Sequence, residues 1–263
     1  MVSTATSNDG TAIAFETQGS RLPALVFVHG WSCDRSYWEA QVKPLSAHAQ
    51  VVVIDLAGHG DSDTAREDLT IAAFGEDVAA VVQALSLESV VLIGHSMGGD
   101  VILEAAHRLR GRVRGLVWVD TYDQLEQFRT LECVRERMAP FRADFVNATR
   151  AFVRKMFPGS ADASLVERVA MDMSSAPPRI ALSAMEAAMT YGRRVPAMLQ
   201  QLRLPFLAIN PGTPATDVSS LRRYRIDVAL IPGVGHFPMM EAPQEFNNLL
   251  LGMHTVVKLQ FAE

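Results

Sequence analysis

One serine in this sequence stands in a pattern that is typical of a catalytic nucleophile. Residues 94–98 read Gly-His-Ser-Met-Gly, which fits G-x-S-x-G; they end the apolar run 89–96 and open a helical pattern at Met97. A sharp turn between a strand and a helix holds such a serine in a strained conformation with its Oγ exposed, and flanking glycines avoid collisions with neighbouring backbone. We therefore predict that Ser96 attacks a carbonyl carbon in an acyl-transfer reaction.

A histidine near the end of the sequence is the predicted general base. Surface positions are predicted for His48, His107 and His254. His59 belongs to a glycine-rich turn, and the side chain of His95 should point away from that of Ser96. His236 lies in a Gly-Val-Gly-His loop directly after the apolar run 227–233, and no other histidine follows a strand in this way. His236 is therefore the histidine placed to take the proton from the serine.

The carboxylate that would orient this histidine has three candidates. Asp120 ends the apolar run 113–120, so its side chain should emerge at the same sheet edge as the serine. Asp217 follows the carboxylate-free turn 210–214 and is placed to cap the next helix. Asp123 is the third candidate. The acid must accept the histidine N–H, because this bond fixes the tautomer and stabilises the imidazolium.

Two backbone N–H groups are expected to bind the oxyanion that forms during acyl transfer. They belong to Met97, which follows the serine, and to Trp31, which follows the apolar run 24–30. Gly30 lets the backbone come close to the substrate. We expect Gly30, Trp31 and Met239 to contact the substrate, although packing in the core explains the Trp31 indole equally well.

Six short apolar runs alternate with helical patterns along the chain. The runs lie at 24–30, 51–58, 89–96, 113–120, 205–210 and 227–233, and the helical patterns at 35–46, 70–86, 97–110 and 241–258. This order predicts an α/β fold with a mostly parallel sheet and helices on both of its faces. The polar opening around Asn8-Asp9-Gly10 predicts an antiparallel hairpin.

Residues 121–204 break this alternation. The segment has no strand pattern, and it contains seven of the chain's 12 methionines. We predict a helical cap at 121–204, inserted into a core of residues 1–120 and 205–263 and covering the sheet edge where ligands bind. Methionine is an adaptable apolar side chain, so most of the seven should pack in the core and some should line a pocket.

Composition argues against several classes of function. The 263 residues carry a formal net charge of −5 and no basic stripe, so a nucleic-acid partner is not expected. We find no apolar stretch long enough to span a membrane, no signal-peptide pattern in the first ten residues, and only two cysteines, Cys33 and Cys133. We expect a cytoplasmic protein with a small-molecule substrate. No metal-ligand spacing or nucleotide-binding loop occurs, so neither a metal nor another cofactor is expected.

Four segments together make the chain resemble the α/β-hydrolase family. They are HGW at 29–31, DLAGHGDSD at 55–63, GHSMGG at 94–99 and GVGHFPMMEAP at 233–243. The resemblance implies an eight-stranded sheet whose first strands are antiparallel, and a triad in the order serine, acid, histidine. Most members carry the acid after the strand that corresponds to 205–210, but one branch, which includes several haloalkane dehalogenases, carries it where Asp120 stands. Because that branch also lacks a carboxylate in the later turn, we favour Asp120.

The predicted function is that of a serine hydrolase, which cleaves a carboxylic ester of a small to medium apolar substrate through an acyl-enzyme intermediate. Dehalogenation and epoxide opening are disfavoured, since in this fold they need a carboxylate where Ser96 stands. The same three residues are also compatible with carbon–carbon bond hydrolysis, lactone opening or cofactor-free perhydrolysis. A small-molecule receptor that kept the fold and lost turnover is the alternative from another class of protein.

Overall fold

Strands and helices follow the predicted alternation on both sides of the segment 121–204. A computed structural model describes residues 1–126, 128–213 and 215–260. Its strands are β1 (Ser3–Thr6), β2 (Ala12–Gln18), β3 (Ala24–Val28), β4 (Val51–Ile54), β5 (Val90–His95), β6 (Val113–Val119), β7 (Phe206–Pro211) and β8 (Asp227–Ile231). Gln127 of the predicted cap, Pro214 of the carboxylate-free turn and residues 261–263 of the predicted core lie outside the described residues.

The helices fall into two groups along the chain. Those flanked by strands of the sheet, or following its last strand, are α1 (Glu39–Ser46), α2 (Ile71–Ala84), α3 (Met97–Arg108), α9 (Val218–Arg222), α10 (Pro238–Glu241), α11 (Pro243–Gln260) and the 3₁₀ helix Arg35–Trp38. Those between β6 and β7 are α4 (Leu131–Ala143), α5 (Phe145–Arg154), α6 (Ala163–Ser175), α7 (Pro178–Tyr191), α8 (Val195–Gln201) and the 3₁₀ helix Gly192–Arg194.

The eight strands form one sheet in the order β1-β2-β4-β3-β5-β6-β7-β8. β2 pairs in antiparallel fashion with both β1 and β4, and all other pairs are parallel. The predicted hairpin and the mostly parallel sheet are therefore confirmed. The predicted run 51–58 extends beyond β4, because the chain turns after Ile54 and both Gly58 and Gly60 adopt positive φ angles there.

The central strands are covered on both faces, which explains why their sequences do not alternate between apolar and polar residues. Every residue of β3, β4 and β5 is buried, whereas β8 at the sheet edge is partly exposed. The surface position predicted for His254 is wrong. Its side chain is buried in α11, and the imidazole is accommodated there because its Nε2 lies 3.1 Å from the Pro23 carbonyl oxygen.

Between β6 and β7 the described residues form helices and loops and no strand. Side-chain caps begin three of these helices. Thr130 accepts from the N–H of Cys133 at the start of α4, Asp144 from the N–H of Asn147 at the start of α5, and Asp162 from the N–H of Ser164 at the start of α6. The division of the chain into a core and a cap stays a prediction. None of the helices in the described ranges is both long and apolar enough to cross a membrane.

Candidate active site

The turn between β5 and α3 holds Ser96 in a strained backbone conformation. Ser96 has φ 51° and ψ −119° and is the last residue before α3. A Cβ on Gly94 would collide with the Gly98 backbone, and a Cβ on Gly98 would lie 2.5 Å from the carbonyl oxygens of Val28 and His29. These glycines let β3, β5 and α3 approach one another closely, and Ser96 is left at the wall of a cavity.

A short hydrogen bond joins Asp120 and His236. Oδ2 of Asp120 lies 2.6 Å from Nδ1 of His236, and the two side chains are only 20% and 19% exposed, respectively. Asp120 follows β6 with a positive φ of 44°. Its N–H donates to the carbonyl oxygen of Ile209 in β7 at 3.0 Å. The neighbouring strand therefore fixes the backbone that carries this carboxylate.

The loop that carries His236 is held by hydrogen bonds on both sides of the histidine. The Glu241 carboxylate accepts from the N–H groups of Gly235 at 2.9 Å and Phe237 at 3.1 Å. The N–H of His236 itself donates to the carbonyl oxygen of Met156 at 2.9 Å. The segment after α5 thus contacts the histidine loop directly.

His95 lies beside this loop, at the wall of the cavity that Ser96 also lines. Its Nε2 is 2.8 Å from the carbonyl oxygen of His236. Burial lowers the pKa of His95 well below its usual value, so the ring is neutral and Nε2–H donates to that carbonyl. A Cβ on Gly30 would lie 2.8 Å from Nδ1 of His95. Gly30 therefore makes room for this ring and is not among the residues that line the cavity.

Neither of the alternative acids is hydrogen-bonded to His236. Asp217 is exposed and caps α9, since its Oδ1 accepts from the N–H of Ser220 at 3.0 Å. Asp123 is also exposed, and its carbonyl oxygen accepts from the N–H of Asp217 at 2.7 Å. Of the three candidates, Asp120 is the one whose carboxylate contacts the imidazole.

Ser96 and His236 line the same cavity of about 240 Å³, which lies between the sheet edge and helices from the segment between β6 and β7. Four of the seven methionines singled out in the sequence line it, namely Met156, Met173, Met185 and Met189. Of the others, Met138 and Met198 are buried in the core, and Met171 is 55% exposed.

The two residues predicted to supply oxyanion donors also line this cavity. Met97 is the first residue of α3, and the first N–H groups of a helix have no acceptor within the helix. Trp31 combines both roles considered for its indole. The ring lines the cavity, and it also packs against Phe141 and Phe145 and donates from Nε1 to the Ala181 carbonyl oxygen at 2.6 Å.

A model of the alpha/beta hydrolase family matches residues 25–249, which include this whole arrangement. The chain belongs to the α/β-hydrolase family. This α/β hydrolase is similar to the solved structure of a thermophilic esterase from Thermogutta terrifontis. The identity is 25%, the TM-score is 0.85, and the superposition covers 98% of this chain and 99% of that one.

Shorter stretches of this α/β hydrolase are similar to curated proteins. One is a non-heme chloroperoxidase of Streptomyces lividans, 38% identical over 120 residues, or 44% of this chain and 43% of that protein. Another is 3-oxoadipate enol-lactonase 1 of Acinetobacter baylyi, 36% identical over 95 residues, or 36% of this chain and 35% of that protein. The chain spans less than half the length of the curated relatives that it matches in this way.

Two further residues near the site of this α/β hydrolase, Met239 and Cys33, differ in their access to the cavity. Met239, a predicted substrate contact, is fully buried in α10 and does not line the cavity. Cys33 lines the cavity, but burial raises the pKa of its thiol well above the usual value, so it remains a poor nucleophile. In the described ranges, no group of three or more His, Cys, Asp or Glu side chains is arranged to hold a metal ion.

Four charged residues of the cavity, Asp100, Arg129, Arg137 and Arg193, were not predicted from the sequence. Asp100 lines it and accepts from the Tyr122 hydroxyl at 2.7 Å. Burial raises the pKa of Asp100 to about 7. A signal was available, because Asp100 and Glu104, four residues apart, are the two acids among the otherwise uncharged residues 97–106 of this helical pattern. No comparable sequence signal marks Arg129, Arg137 and Arg193, which also line the cavity.

Proposed function

We propose that this α/β hydrolase cleaves carboxylic esters of small to medium size through an acyl-enzyme on Ser96. The observation that carries the proposal is the 2.6 Å contact between Asp120 and His236, beside a cavity that both His236 and Ser96 line. Along the chain, nucleophile, acid and base would then follow one another in the order that the family uses. The similarity to an esterase over nearly the whole chain supports the same reaction class.

In the proposed first half-reaction, Oγ of Ser96 attacks the ester carbonyl carbon. His236 takes the hydroxyl proton and then gives it to the oxygen of the leaving alcohol as the carbon–oxygen bond breaks. In the second half-reaction, His236 takes a proton from water. The resulting hydroxide attacks the acyl-enzyme, and the proton returns to Ser96 as the acid leaves.

The role proposed for Asp120 is to set the tautomer of His236. By accepting a hydrogen bond from Nδ1–H, the carboxylate leaves Nε2 without a proton and therefore free to act as base. The same carboxylate stabilises the imidazolium that forms when the proton is taken.

The oxyanion of the tetrahedral intermediate would be bound by the N–H groups of Met97 and Trp31. The start of α3 adds the positive end of the helix dipole at the same place. Loss of one donor of this kind typically costs about 100- to 1000-fold in rate. Because both donors are backbone groups, a side-chain substitution does not remove them.

Lactone opening is a second candidate for the same residues. It is favoured by the similarity of this chain to an enol-lactonase of Acinetobacter baylyi. A lactone is an internal ester, so the attack by Ser96 is unchanged and only the leaving alcohol stays attached to the acyl group. The two candidates differ in the shape of the substrate that the cavity accepts.

The proposal is tested by hydrolysis of 4-nitrophenyl butyrate and of γ- and δ-lactones by the wild type and two serine variants. Ser96→Ala should lose turnover of whichever substrates the wild type accepts. Ser86→Ala is the matched control, because Ser86 also has a positive φ but lies exposed in a turn. Turnover that survives in Ser96→Ala, or a wild type without turnover on either class, would contradict the proposal.

A chain-length series of 4-nitrophenyl esters tests the apolar part of the site. If the methionine-lined cavity accepts the acyl chain, kcat/KM should rise from acetate to a longer ester before it falls. A steady decline from acetate onward would mean that the cavity does not accept an apolar acyl chain.

A further inference from the structure

Three arginines converge at the opening of the cavity from three segments of the chain. Arg129 lies in the loop before α4, Arg137 lies on α4, and Arg193 lies in the 3₁₀ helix Gly192–Arg194. All three line the cavity and are exposed, which places them at its opening. A side-chain N–H of Arg193 donates to the Arg129 carbonyl oxygen at 3.3 Å and joins two of the segments. Arg129, Arg137 and Arg193 are called the arginine rim below.

The arginine rim forms no ion pair with a carboxylate in the ranges 1–126, 128–213 and 215–260. Neighbouring arginines do form such pairs: Arg142 with Glu186 (2.8 Å), Arg154 with Glu167 (2.8 Å) and Arg194 with Glu104 (3.3 Å). Guanidinium groups stay charged at all physiological pH values. Three of them around one opening repel one another, and a bound anion would relieve that repulsion.

The cavity offers little negative charge to balance the arginine rim. Among its described lining residues the carboxyl group of Asp100 is the single acidic one. Its Oδ1 accepts a hydrogen bond from the Tyr122 hydroxyl, and burial raises its pKa to about 7. Near neutral pH this carboxyl therefore carries less than one full negative charge, against three positive charges at the opening.

We propose that the arginine rim binds a carboxylate of the substrate, so that the preferred substrates are esters with a free carboxylate at one end. The inference rests on the proposed ester hydrolysis at Ser96. The planar guanidinium group matches a carboxylate through two parallel hydrogen bonds. The four methionines that line the cavity come from the segment between β6 and β7, as the arginine rim does. Their side chains would accept the apolar chain between the carboxylate and the ester.

The test uses two pairs of esters that differ only in charge. The first pair is mono-4-nitrophenyl glutarate and its terminal amide, in which the carboxylate or the neutral carboxamide lies on the acyl side of the ester. The second pair is 4-carboxyphenyl butyrate and 4-carbamoylphenyl butyrate, in which the carboxylate or the carboxamide lies on the alcohol side. Rates with Ser96→Ala are subtracted, because a neighbouring carboxylate can hydrolyse such esters without the enzyme. We expect kcat/KM for the acid to exceed that for the amide about 10-fold in at least one pair.

The arginine rim itself is tested by replacing Arg129, Arg137 and Arg193 with Gln, singly and together. The acid-to-amide ratio of kcat/KM should fall about 2-fold in each single variant and about 10-fold in the triple variant. Added salt should lower the ratio in the wild type, because it screens exposed charges. Arg135→Gln is the matched control, since Arg135 is an exposed arginine of α4 that does not line the cavity, and its ratio should not change. Ratios near one in both substrate pairs would overturn the proposal.

A binding measurement separates this inference from the proposed hydrolysis. Ser96→Ala is titrated by calorimetry with monobutyl glutarate and with the corresponding amide. Tighter binding of the acid, weakened in the triple variant, supports the arginine rim as an anion site even if no ester is turned over. Equal binding of acid and amide contradicts it, even if neutral esters are good substrates.

Discussion

The two walls of the cavity are built in different ways. On the wall formed by the sheet edge, Ser96 and Asp120 have positive φ angles, and Gly94 and Gly98 leave no space for a Cβ. On the opposite wall, four methionines and the arginine rim present long side chains with many rotamers. The backbone conformation determines the shape of the first wall, and long side chains determine the shape of the second. Substitutions should therefore affect the reaction itself on the first wall and the choice of substrate on the second.

The walls meet at the loop that carries His236. The backbone N–H of His236 donates to the Met156 carbonyl oxygen, and the rings of Phe157 and Phe237 stack with centroids 5.1 Å apart. A Cβ on Gly235 would collide with the Met156 carbonyl oxygen. At this contact a change in the second wall would move His236, a residue of the first wall. A substitution here should therefore affect the reaction itself and not only the choice of substrate.

The largest effect is expected on the first wall, for Asp120→Asn. The amide carries no negative charge, and its NH₂ group can donate to Nδ1 and so leave the proton on Nε2, the wrong tautomer for a base; kcat should therefore fall by about 10⁴-fold. Hydrolysis of 4-nitrophenyl butyrate measures it. Asp217→Asn is the matched control and should stay near the wild-type rate, since Asn also caps helices well. A large loss in Asp217→Asn with little loss in Asp120→Asn would place the acid after β7 instead.

The next effect is expected where the walls meet, for Gly235→Ala. The added Cβ must displace either the Met156 carbonyl or the His236 loop, and a shift of about 1 Å at a catalytic group costs about 100-fold in rate. Gly159→Ala is the control, because a Cβ at Gly159 meets nothing within 4 Å. Rates are compared after circular dichroism has shown that both variants are folded. An unchanged rate in Gly235→Ala would mean that the contact with Met156 does not position His236.

A smaller effect, on stability, is expected for Asp100→Asn. The pKa of Asp100 is raised by burial from 3.8 to about 7, so the ionised carboxyl destabilises the native state. This cost grows as the pH rises from about 4 to about 7 and is fully present above that range. The variant should therefore be more stable than the wild type by about 2–4 kcal/mol at pH 8, with a smaller difference at pH 5. Urea unfolding at both pH values measures it, and a difference independent of pH would contradict the burial argument.

The smallest effect is expected on the second wall, for Met189→Ala. Met189 is half-buried and lines the cavity, so removing part of its side chain should shift the preferred acyl chain to a longer one. The ratio of kcat/KM for a longer 4-nitrophenyl ester to kcat/KM for a shorter one should rise by about 3- to 10-fold. Met171→Ala is the control, because Met171 is 55% exposed and does not line the cavity. Equal profiles in both variants would show that Met189 does not contact the acyl chain.

The sequence predicted the first wall better than the second, for a physical reason. Strand runs and glycine-flanked turns are local patterns, so the positions of Ser96, Asp120 and His236 at one sheet edge could be inferred from them. The missing carboxylate after β7 further favoured Asp120. The arginine rim joins residues from separate helices and loops, and no local pattern fixes how those elements pack. Met239 follows the histidine closely in sequence, but α10 turns its side chain into the core.

The most direct test of the account is to identify the residue that becomes acylated. The protein is mixed with 4-nitrophenyl butyrate, quenched with acid during turnover, and examined by intact mass and peptide mapping. One butyryl group is expected on the peptide that contains Ser96 in the wild type, and none on the corresponding peptide of Ser96→Ala. Turnover that persists in Ser96→Ala, or a butyryl group on Cys33 instead of Ser96, would contradict it.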